Sequence, residues 1–596
     1  MPPSVVTRAY DNARSGAQYD ETVLTPDGVR QHGVRRLASF YLPGDARGLE
    51  AQPLVAAGVK LPGGETRDLL ICATMSNRVF AFDIGSLDDA PVWIQYLGTP
   101  VKGSKDIDQY EINDNWGILS TPVIDVERDA LYCVAWVSPD RTVARAGHLV
   151  FALDLRDGHL LHPPLGLEGA SYQPGGGLPQ QHFKSAARKQ RAALLFTAVE
   201  DAEGGIRRTV FIPAGSIQEG AHTNRGWLIA VDVDAWRIAA AWTSTAEGSG
   251  GGIWQAGAGP AADAEGFIYL MTGNGRFAPP HDLSHSFVKL RYTPALGSAA
   301  ARLEPVDWFT PFTDAERTGH LDDAHAHAEA DHDHPAPTNV RAHDHGDVNA
   351  MWGDMDLGSG GPVLVESSKS VIGVGKDGVA YSLKTNAMGK TTMADLGHGG
   401  SNYEDCRWVG FLTYYPGPDK QAAPANIRDL NFLFGNKTRH LHGSPLTWDS
   451  PDFGRVLANW GENGNLRLWK VDGQGALHYL GCSPEVASAE SNDFGGGMPG
   501  SMCTASLEKG AGLTTVIWCC IPYGDANKFV TAGRLIAYDG SRIGTYADGA
   551  GQLIKLWDSQ DWAHTFAFNK FNVPVVWGGL LFVPTYDARV LVYGTT

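Results

Sequence analysis

The sequence predicts an all-β fold, an eight-bladed β-propeller of four-stranded antiparallel blades whose last blade is closed by the N-terminal segment. Three observations predict it: a strand–turn–strand pattern recurs along all 596 residues, glycine occurs 72 times, and aromatic residues make up 10% of the chain. Abundant glycine and aromatic residues are typical of turn-dense β proteins. Because a ring of repeats grows by adding units, we interpret residues 1–596 as one domain.

Each repeat contains an inner strand, a second strand, a turn, and a third strand with the pattern G-x-[LV]-x-[AV]-[FYV]-[DS]. In chain order the repeats begin at AQPLV, GILSTPVID, RAALLFTAV, WQAGAGPAAD, GSGGPVLV, HGSPLTW, MPGSMCTAS and KFNVPVVW. One such sheet cannot bury both of its faces, whereas sheets stacked radially around an axis can. Tryptophans that recur at outer-strand positions are predicted to pack between blades, namely Trp93, Trp242, Trp308 and Trp557.

The two ends of the chain complement each other. The last repeat ends after three strands, and a strand-like stretch, RRLASFYLP, precedes the first repeat. We therefore expect the N-terminal stretch to supply the missing outer strand and close the ring.

The charge of the chain restricts its partners. The formal net charge is −18, which argues against nucleic acid and anionic membrane surfaces, since both require clustered Lys and Arg. A small-molecule substrate, cationic or neutral, suits this field better than an anionic polymer.

The N-terminus lacks the features of a signal peptide, so two compartments stay open: cytoplasmic, or periplasmic or secreted if a leader was removed. The sequence leaves the oligomeric state open.

Seven cysteines occur at irregular spacings without a CxxC motif, which argues against a zinc ribbon, a thioredoxin-like motif and covalent haem. The adjacent pair Cys519-Cys520 ends the apolar run TTVIWCC. Two interpretations stay open for this pair, a vicinal disulfide or two ordinary strand residues.

Residues that precede the inner strands of a propeller crowd its central axis, so they are the first candidates for a functional site. His440 and His442 in HLHGSP have i, i+2 spacing, and on a strand both imidazoles would face the same way. Two converging imidazoles could bind a divalent or transition metal, and His442 could act as a general acid or base. The alternative is that one histidine hydrogen-bonds a strand carbonyl. Glu462 in WGEN is a candidate third ligand or base, or else a solvated turn residue.

Other positions near the axis are candidates for binding a cofactor. Trp116 and Trp254 could stack on a planar ring, with a packed core indole as the alternative for Trp254. Gln255 and Asn572 could contact a cofactor or satisfy backbone groups around the axis. Four more positions of the same kind are Asn115, Ser359, Met498 and Lys570.

A second candidate metal site is a histidine- and aspartate-rich insertion, residues 314–347. Its candidate ligands are His325, His327, His332 and His334. This composition is typical of metal-binding low-complexity segments. The alternative is an acidic loop that binds divalent metal loosely and without function.

The repeat signatures NRVFAFDIGS, GHLVFALDLRDG, GWLIAVDVDA and GRLIAYDG resemble the pyrroloquinoline-quinone (PQQ) repeat of the eight-bladed quinoprotein alcohol dehydrogenase-like superfamily. The resemblance covers nearly the whole chain and is closest to soluble microbial PQQ-like proteins. It implies a propeller, an oxidoreductase activity and PQQ as a candidate cofactor. The family's metal set of Glu, Asn and Asp does not map onto this chain, and Cys519-Cys520 lies later in the chain than the family's vicinal disulfide.

Three functions follow as hypotheses. The first is a quinoprotein-like oxidoreductase with a metal, a quinone or both near the axis. The second is a non-redox metal-dependent enzyme, a hydrolase or lyase, that uses the same residues. The third is a non-catalytic propeller that acts as a scaffold or binds metal through its histidine-rich loop.

Overall fold

The described residues form eight four-stranded antiparallel blades, here called blades 1 to 8 in chain order, and one bridge between Cys482 and Gln552 joins the outer strands of blades 6 and 7 into a single sheet. The structure is a computed structural model of the 596-residue chain. It describes residues 2–45, 47–200, 204–217, 224–296, 298–310, 356–376, 378–392, 402–405, 440–462, 464–487, 498–510, 512–547, 549–562 and 564–595. The fold predicted from the sequence, an eight-bladed propeller, is confirmed.

The blades share one order of strands, from the inner strand to the outer strand. The inner strands are Leu54–Lys60, Val123–Asp125, Leu195–Glu200, Ala261–Ala262, Val363–Val365, Leu446–Ser450, Met502–Glu508 and Val575–Trp577. The second strands are Thr66–Ala73, Ala130–Val137, Ile206–Ser216, Phe267–Met271, Ser370–Val374, Gly454–Asn459, Thr515–Pro522 and Leu580–Pro584. The third strands are Arg78–Asp83, Gly147–Asp154, Trp227–Asp232, Phe287–Thr293, Val379–Lys384, Asn465–Val471, Ala532–Thr545 and Arg589–Gly594. The outer strands are Trp93–Tyr96, Leu165–Gly166, Arg237–Thr243, Arg302–Thr310, Asn402–Asp405, Leu477–Val486, Gly551–Asp558 and, for blade 8, Arg35–Tyr41.

Short elements connect the blades. In the described ranges the α-helix is Pro26–His32, which begins with Thr25 accepting a hydrogen bond from the Gly28 amide. The short strands outside the four-strand pattern are Ala17–Glu21, Val101–Lys102, Asn115–Trp116, Ser171–Tyr172, Gln181–His182, Arg188–Lys189, Phe277–Ala278, Asp282–Leu283, Thr391–Thr392 and Phe566–Ala567. The 3₁₀ turns are Val143–Arg145, Ser185–Ala187, Gln255–Gly257, Leu357–Ser359, Glu366–Ser368 and Ser559–Trp562.

The N-terminal stretch closes the ring as expected. Arg35–Tyr41 pairs antiparallel with Arg589–Gly594, the third strand of blade 8, with Tyr41 opposite Arg589. The two ends of the chain therefore share one sheet, so every blade has four strands.

The hydrophobic core lies between neighbouring blades. The four tryptophans predicted to pack there, Trp93, Trp242, Trp308 and Trp557, lie on outer strands and are buried. The Trp93 indole N–H donates to the Leu155 carbonyl of blade 2 at 2.9 Å. An outer tryptophan thus joins its own blade to the next one while removing a large apolar surface from water.

Residues 5–21, here called the axial segment, hydrogen-bond to the inner strands of all eight blades. Val5 pairs with Val55 of blade 1, and the Val576 amide of blade 8 donates to the Tyr10 hydroxyl at 2.8 Å. The Asn12 side-chain amide donates to the Phe196 carbonyl of blade 3 at 2.9 Å. Backbone carbonyls of the segment accept from the amides of Ile124, Ala262, Leu364, Thr447 and Ala505, which belong to blades 2, 4, 5, 6 and 7.

In the ranges that the structure describes, no helix combines the length and the apolar character needed to cross a membrane.

Candidate active site at the propeller axis

A cavity of about 250 Å³ lies where the segments before the inner strands converge. Trp116 comes from the segment before blade 2, Trp254 from that before blade 4, Met498 from that before blade 7, and Lys570 from that before blade 8. The structure thus brings together four of the positions that the sequence analysis singled out. A pocket built from several repeats of a ring is the usual location of a ligand site.

Four cationic side chains line this cavity: Lys189, Arg191, Lys376 and Lys570. Asp108 is the one carboxylate among the lining residues. Cationic residues therefore outnumber acidic ones in the lining, although the chain as a whole carries a net charge of −18. Clefts lined by one sign of charge concentrate ligands of the opposite sign.

Lys189 and Arg191 form one side of the cavity. The Lys189 ammonium lies 4.4 Å from the centroid of the Trp116 ring and donates to the Ile107 carbonyl at 2.8 Å. Burial, reinforced by the nearby Arg191 charge, lowers the pKa of Lys189 to about 7. The Arg191 guanidinium lies 5.0 Å from the Phe571 ring centroid and forms a buried ion pair with Glu50.

Lys376 and Lys570 supply the other two charges. The Lys376 ammonium lies 5.4 Å from the centroid of the Trp254 ring. Lys570 donates to the Asn527 side-chain oxygen at 3.0 Å, and burial lowers its pKa. Each cation thus lies near an aromatic ring or an amide that holds its position.

The orientation of Trp254 is held by a hydrogen bond and by an unusual backbone. Its indole N–H donates to the Asp356 carboxylate at 2.6 Å. The next two residues, Gln255 and Ala256, have φ angles of 45° and 44°, a left-handed conformation that side-chain-bearing residues rarely adopt. Such backbone conformations cost roughly 1–3 kcal/mol each and cluster at functional sites.

His440, His442 and Glu462 meet behind the aromatic wall of the cavity. The Nδ1 atoms of His440 and His442 lie 3.8 Å and 3.3 Å from the Glu462 carboxylate. The His442 ring lies 6.0 Å from that of Trp254 and 5.9 Å from that of Phe571, centroid to centroid. Burial, and next the charge of Lys376, lowers the pKa of His442 well below its usual value, so the imidazole is neutral near pH 7. The structure places these residues together, and their metal-binding and catalytic roles remain predictions.

The remaining predicted positions are buried or form hydrogen bonds within the protein. The Asn572 side-chain amide donates to the Ala51 carbonyl at 2.9 Å, which is the backbone-satisfying role considered for it. Gln255 is fully buried. Ser359 donates to the Leu441 carbonyl at 2.7 Å, and Asn115 bonds to Ser76 and Arg141.

The histidine-rich insertion, residues 314–347, lies outside the described residues, so His325, His327, His332 and His334 stay predictions. In the described part of the chain, one group of three potential metal ligands has its ligand atoms within 4.8 Å of one another: Asp154, Asp157 and His159. Asp154 already accepts a forked hydrogen bond from Arg156, and the other two residues are exposed.

The sequence analysis missed Lys189, Arg191, Lys376, Asp108 and Phe571. Arg191 and Phe571 each lie four residues before an inner strand. The rule that selected Trp116 and His442 would have selected them as well. Lys376 follows a second strand, in the sequence GKDG, and no motif marks it.

No family model matches this chain, and no curated protein matches it. Among solved structures, a europium-containing methanol dehydrogenase is similar with a TM-score of 0.44 and 13% identity, over 98% of this chain and 82% of that one. Sqt1 from Chaetomium thermophilum is similar with a TM-score of 0.38 and 10% identity, over 94% and 100% of the two chains. The RRP9 WD40 repeats are similar with a TM-score of 0.34 and 7% identity, over 81% and 92%. Likenesses of this size assign no function.

Proposed function

We propose that the axial cavity is the active site of an oxidoreductase that holds a small planar anion, with a carboxylated quinone as the candidate cofactor. One observation carries the proposal: four cationic side chains surround a cavity that is also lined by the indoles of Trp116 and Trp254. Holding cations in a partly buried cavity is unfavourable unless opposite charge compensates them. Glu50 compensates Arg191, and an anionic ligand would add negative charge on the side of the cavity that Lys189, Lys376 and Lys570 line.

The residues present fit PQQ in charge. PQQ is a planar tricarboxylate, so its carboxylates suit Lys189, Arg191, Lys376 and Lys570, and its rings suit stacking on the Trp254 indole. When bound, such a quinone would accept electrons from a substrate. Neutral His442 beside Glu462, behind Trp254, is the candidate proton acceptor of this chain.

A second candidate function is a metal-dependent enzyme without redox chemistry. The specific observation that favours it is that the Nδ1 atoms of His440 and His442 lie 3.8 Å and 3.3 Å from the two Glu462 carboxylate oxygens, a looser arrangement than that of Asp154, Asp157 and His159. Neutral imidazoles and a carboxylate are ligands that suit zinc and other transition metals. This function would leave the four cations to bind an anionic substrate.

We expect PQQ to bind and to quench tryptophan fluorescence, and Lys376→Ala with Lys570→Ala to weaken that binding by about 100-fold or more. Two charge-assisted hydrogen bonds of about 1.5 kcal/mol each account for a loss of this size. The measurement is a fluorescence titration of the purified protein, with absorbance recorded on the same samples. The matched control carries Lys60→Ala with Lys105→Ala, two exposed lysines, and should bind as the parent does.

PQQ binding and metal content, measured on the same protein preparation, distinguish the two candidate functions. Absence of PQQ binding, together with a stoichiometric metal that is lost in His440→Ala with His442→Ala, would replace the first function with the second. If the protein bound neither PQQ nor a stoichiometric metal, both proposed functions would be contradicted and a scaffold would be favoured.

Anion binding should weaken as the pH rises through about 7. A lysine is charged below its pKa, and the pKa of Lys189 is lowered to about 7, so raising the pH removes one positive charge from the cavity. The check is the dissociation constant measured between pH 6 and pH 8. Lys189→Arg keeps its charge over this range and should flatten the profile; an unchanged profile would contradict the role of Lys189.

A further inference from the structure

Two cysteines face each other across blade 7. Cys503 on the inner strand is the register partner of Cys519 on the second strand, and their sulfur atoms lie 3.2 Å apart. Cys519 is buried and Cys503 is half-buried. Two thiols at this separation are about 1.2 Å from the length of a disulfide bond.

The adjacent Cys520 is on the other side of the sheet. Successive side chains of a strand point to opposite faces. Cys519 packs in the core with Trp448 and Leu468 of blade 6, whereas Cys520 packs with Val583 and Tyr593 of blade 8. The partner that this geometry offers to Cys519 is therefore Cys503, and the vicinal disulfide considered from the sequence does not fit the strand.

We propose that Cys503 and Cys519 are a redox-active thiol pair that forms a cross-strand disulfide bond with a small-molecule disulfide as oxidant. The pair requires no change of strand register, because both cysteines already occupy opposed positions of one antiparallel ladder. Neighbouring strand residues are close enough for side-chain contact across such a ladder.

The reaction has two steps. The thiolate of the more exposed Cys503 attacks the oxidant's sulfur–sulfur bond, which forms a mixed disulfide at Cys503 and releases one thiol. Cys519 then loses its proton and attacks the Cys503 sulfur, which forms the Cys503–Cys519 bond and releases the second thiol. The two protein thiols are oxidised and the small disulfide is reduced to two thiols.

The location connects this pair to the axial cavity. Ser501 lies between Met498, which lines the cavity, and Cys503; its hydroxyl lies 3.2 Å from the Cys503 sulfur and donates to the Cys520 carbonyl. The disulfide would therefore hold the start of the inner strand of blade 7 against the second strand, next to Met498.

The test treats the reduced, full-length protein with oxidised glutathione and then counts free thiols by alkylation under denaturing conditions. We expect the count to fall from seven, the number of cysteines in the chain, to five, and peptide mapping to find Cys503 linked to Cys519. Cys520→Ala should still lose two thiols, whereas Cys503→Ala should not form the link. The oxidised protein should also unfold at a higher temperature than the reduced one, because a cross-link restricts the unfolded chain.

Three results would overturn the proposal. They are a link between Cys519 and Cys520, a glutathione adduct at Cys503 that persists without closing, and seven free thiols after oxidation of the folded protein. Each can be read by mass spectrometry of the parent protein, so none depends on whether a variant folds. None of these results depends on whether the axial cavity binds the proposed anion.

Discussion

Replacing Arg14 with alanine should destabilise the protein by at least about 3 kcal/mol, since hydrogen bonds to a charged group contribute about 1.5–3 kcal/mol each. The Arg14 side chain is fully buried in the axial segment. It donates to the Thr7 hydroxyl and to the carbonyls of Arg8, Leu194 and Pro260 at 2.7–2.9 Å. The substitution would leave these acceptors without a donor and loosen the segment from blades 3 and 4.

The free energy of unfolding, measured by urea denaturation, checks this expectation. Arg145→Ala is the matched control, because its side chain is 65% exposed, and it should change stability by about 0.5 kcal/mol or less. If Arg14→Ala were as stable as this control, the axial segment would not be a structural part of the ring.

Replacing Glu50 with alanine should cost about 3–5 kcal/mol of stability, as is typical when one partner of a buried ion pair is removed. The Arg191 and Glu50 side chains are 6% and 1% exposed, and Asn113 donates a further hydrogen bond to Glu50. Glu50 precedes blade 1 and Arg191 precedes blade 3. The pair therefore joins two blades that are not neighbours, and it holds one of the four cavity cations.

A double-mutant cycle measures the coupling free energy between Glu50 and Arg191 apart from their contacts with other residues. Glu50→Ala with Arg191→Ala should cost less than the sum of the two single substitutions, since neither charge is left alone. Glu247→Ala breaks an exposed pair with Arg276 and should cost about 1 kcal/mol or less. Additive losses from Glu50→Ala and Arg191→Ala would show that the two residues are not energetically coupled.

The architecture was predictable because its signals are local and repeated. The third-strand pattern, the turns and the outer tryptophans occur within each repeat, and burial of both faces of a sheet allows few arrangements other than a ring. The missing strand of the last repeat and the strand-like RRLASFYLP together predicted the closure that Arg35–Tyr41 makes. The same reasoning selected Trp116, Trp254, Met498 and Lys570, because residues before inner strands meet at the axis.

The charge of the cavity and the pairing of the cysteines were decided by the tertiary structure. Lys189 and Lys376 are far apart in the sequence, and Lys376 is marked by no motif, so only the closed ring shows that they share one cavity. The net charge of −18 is a sum over the whole surface, and it does not reveal a local charge of the opposite sign. Cys503 and Cys519 likewise meet through the strand register of blade 7. The sequence by itself thus determined the repeat, the ring and its closure, whereas contacts between distant segments determined the charge of the site and the thiol partner, since these depend on which side chains the closed ring brings together.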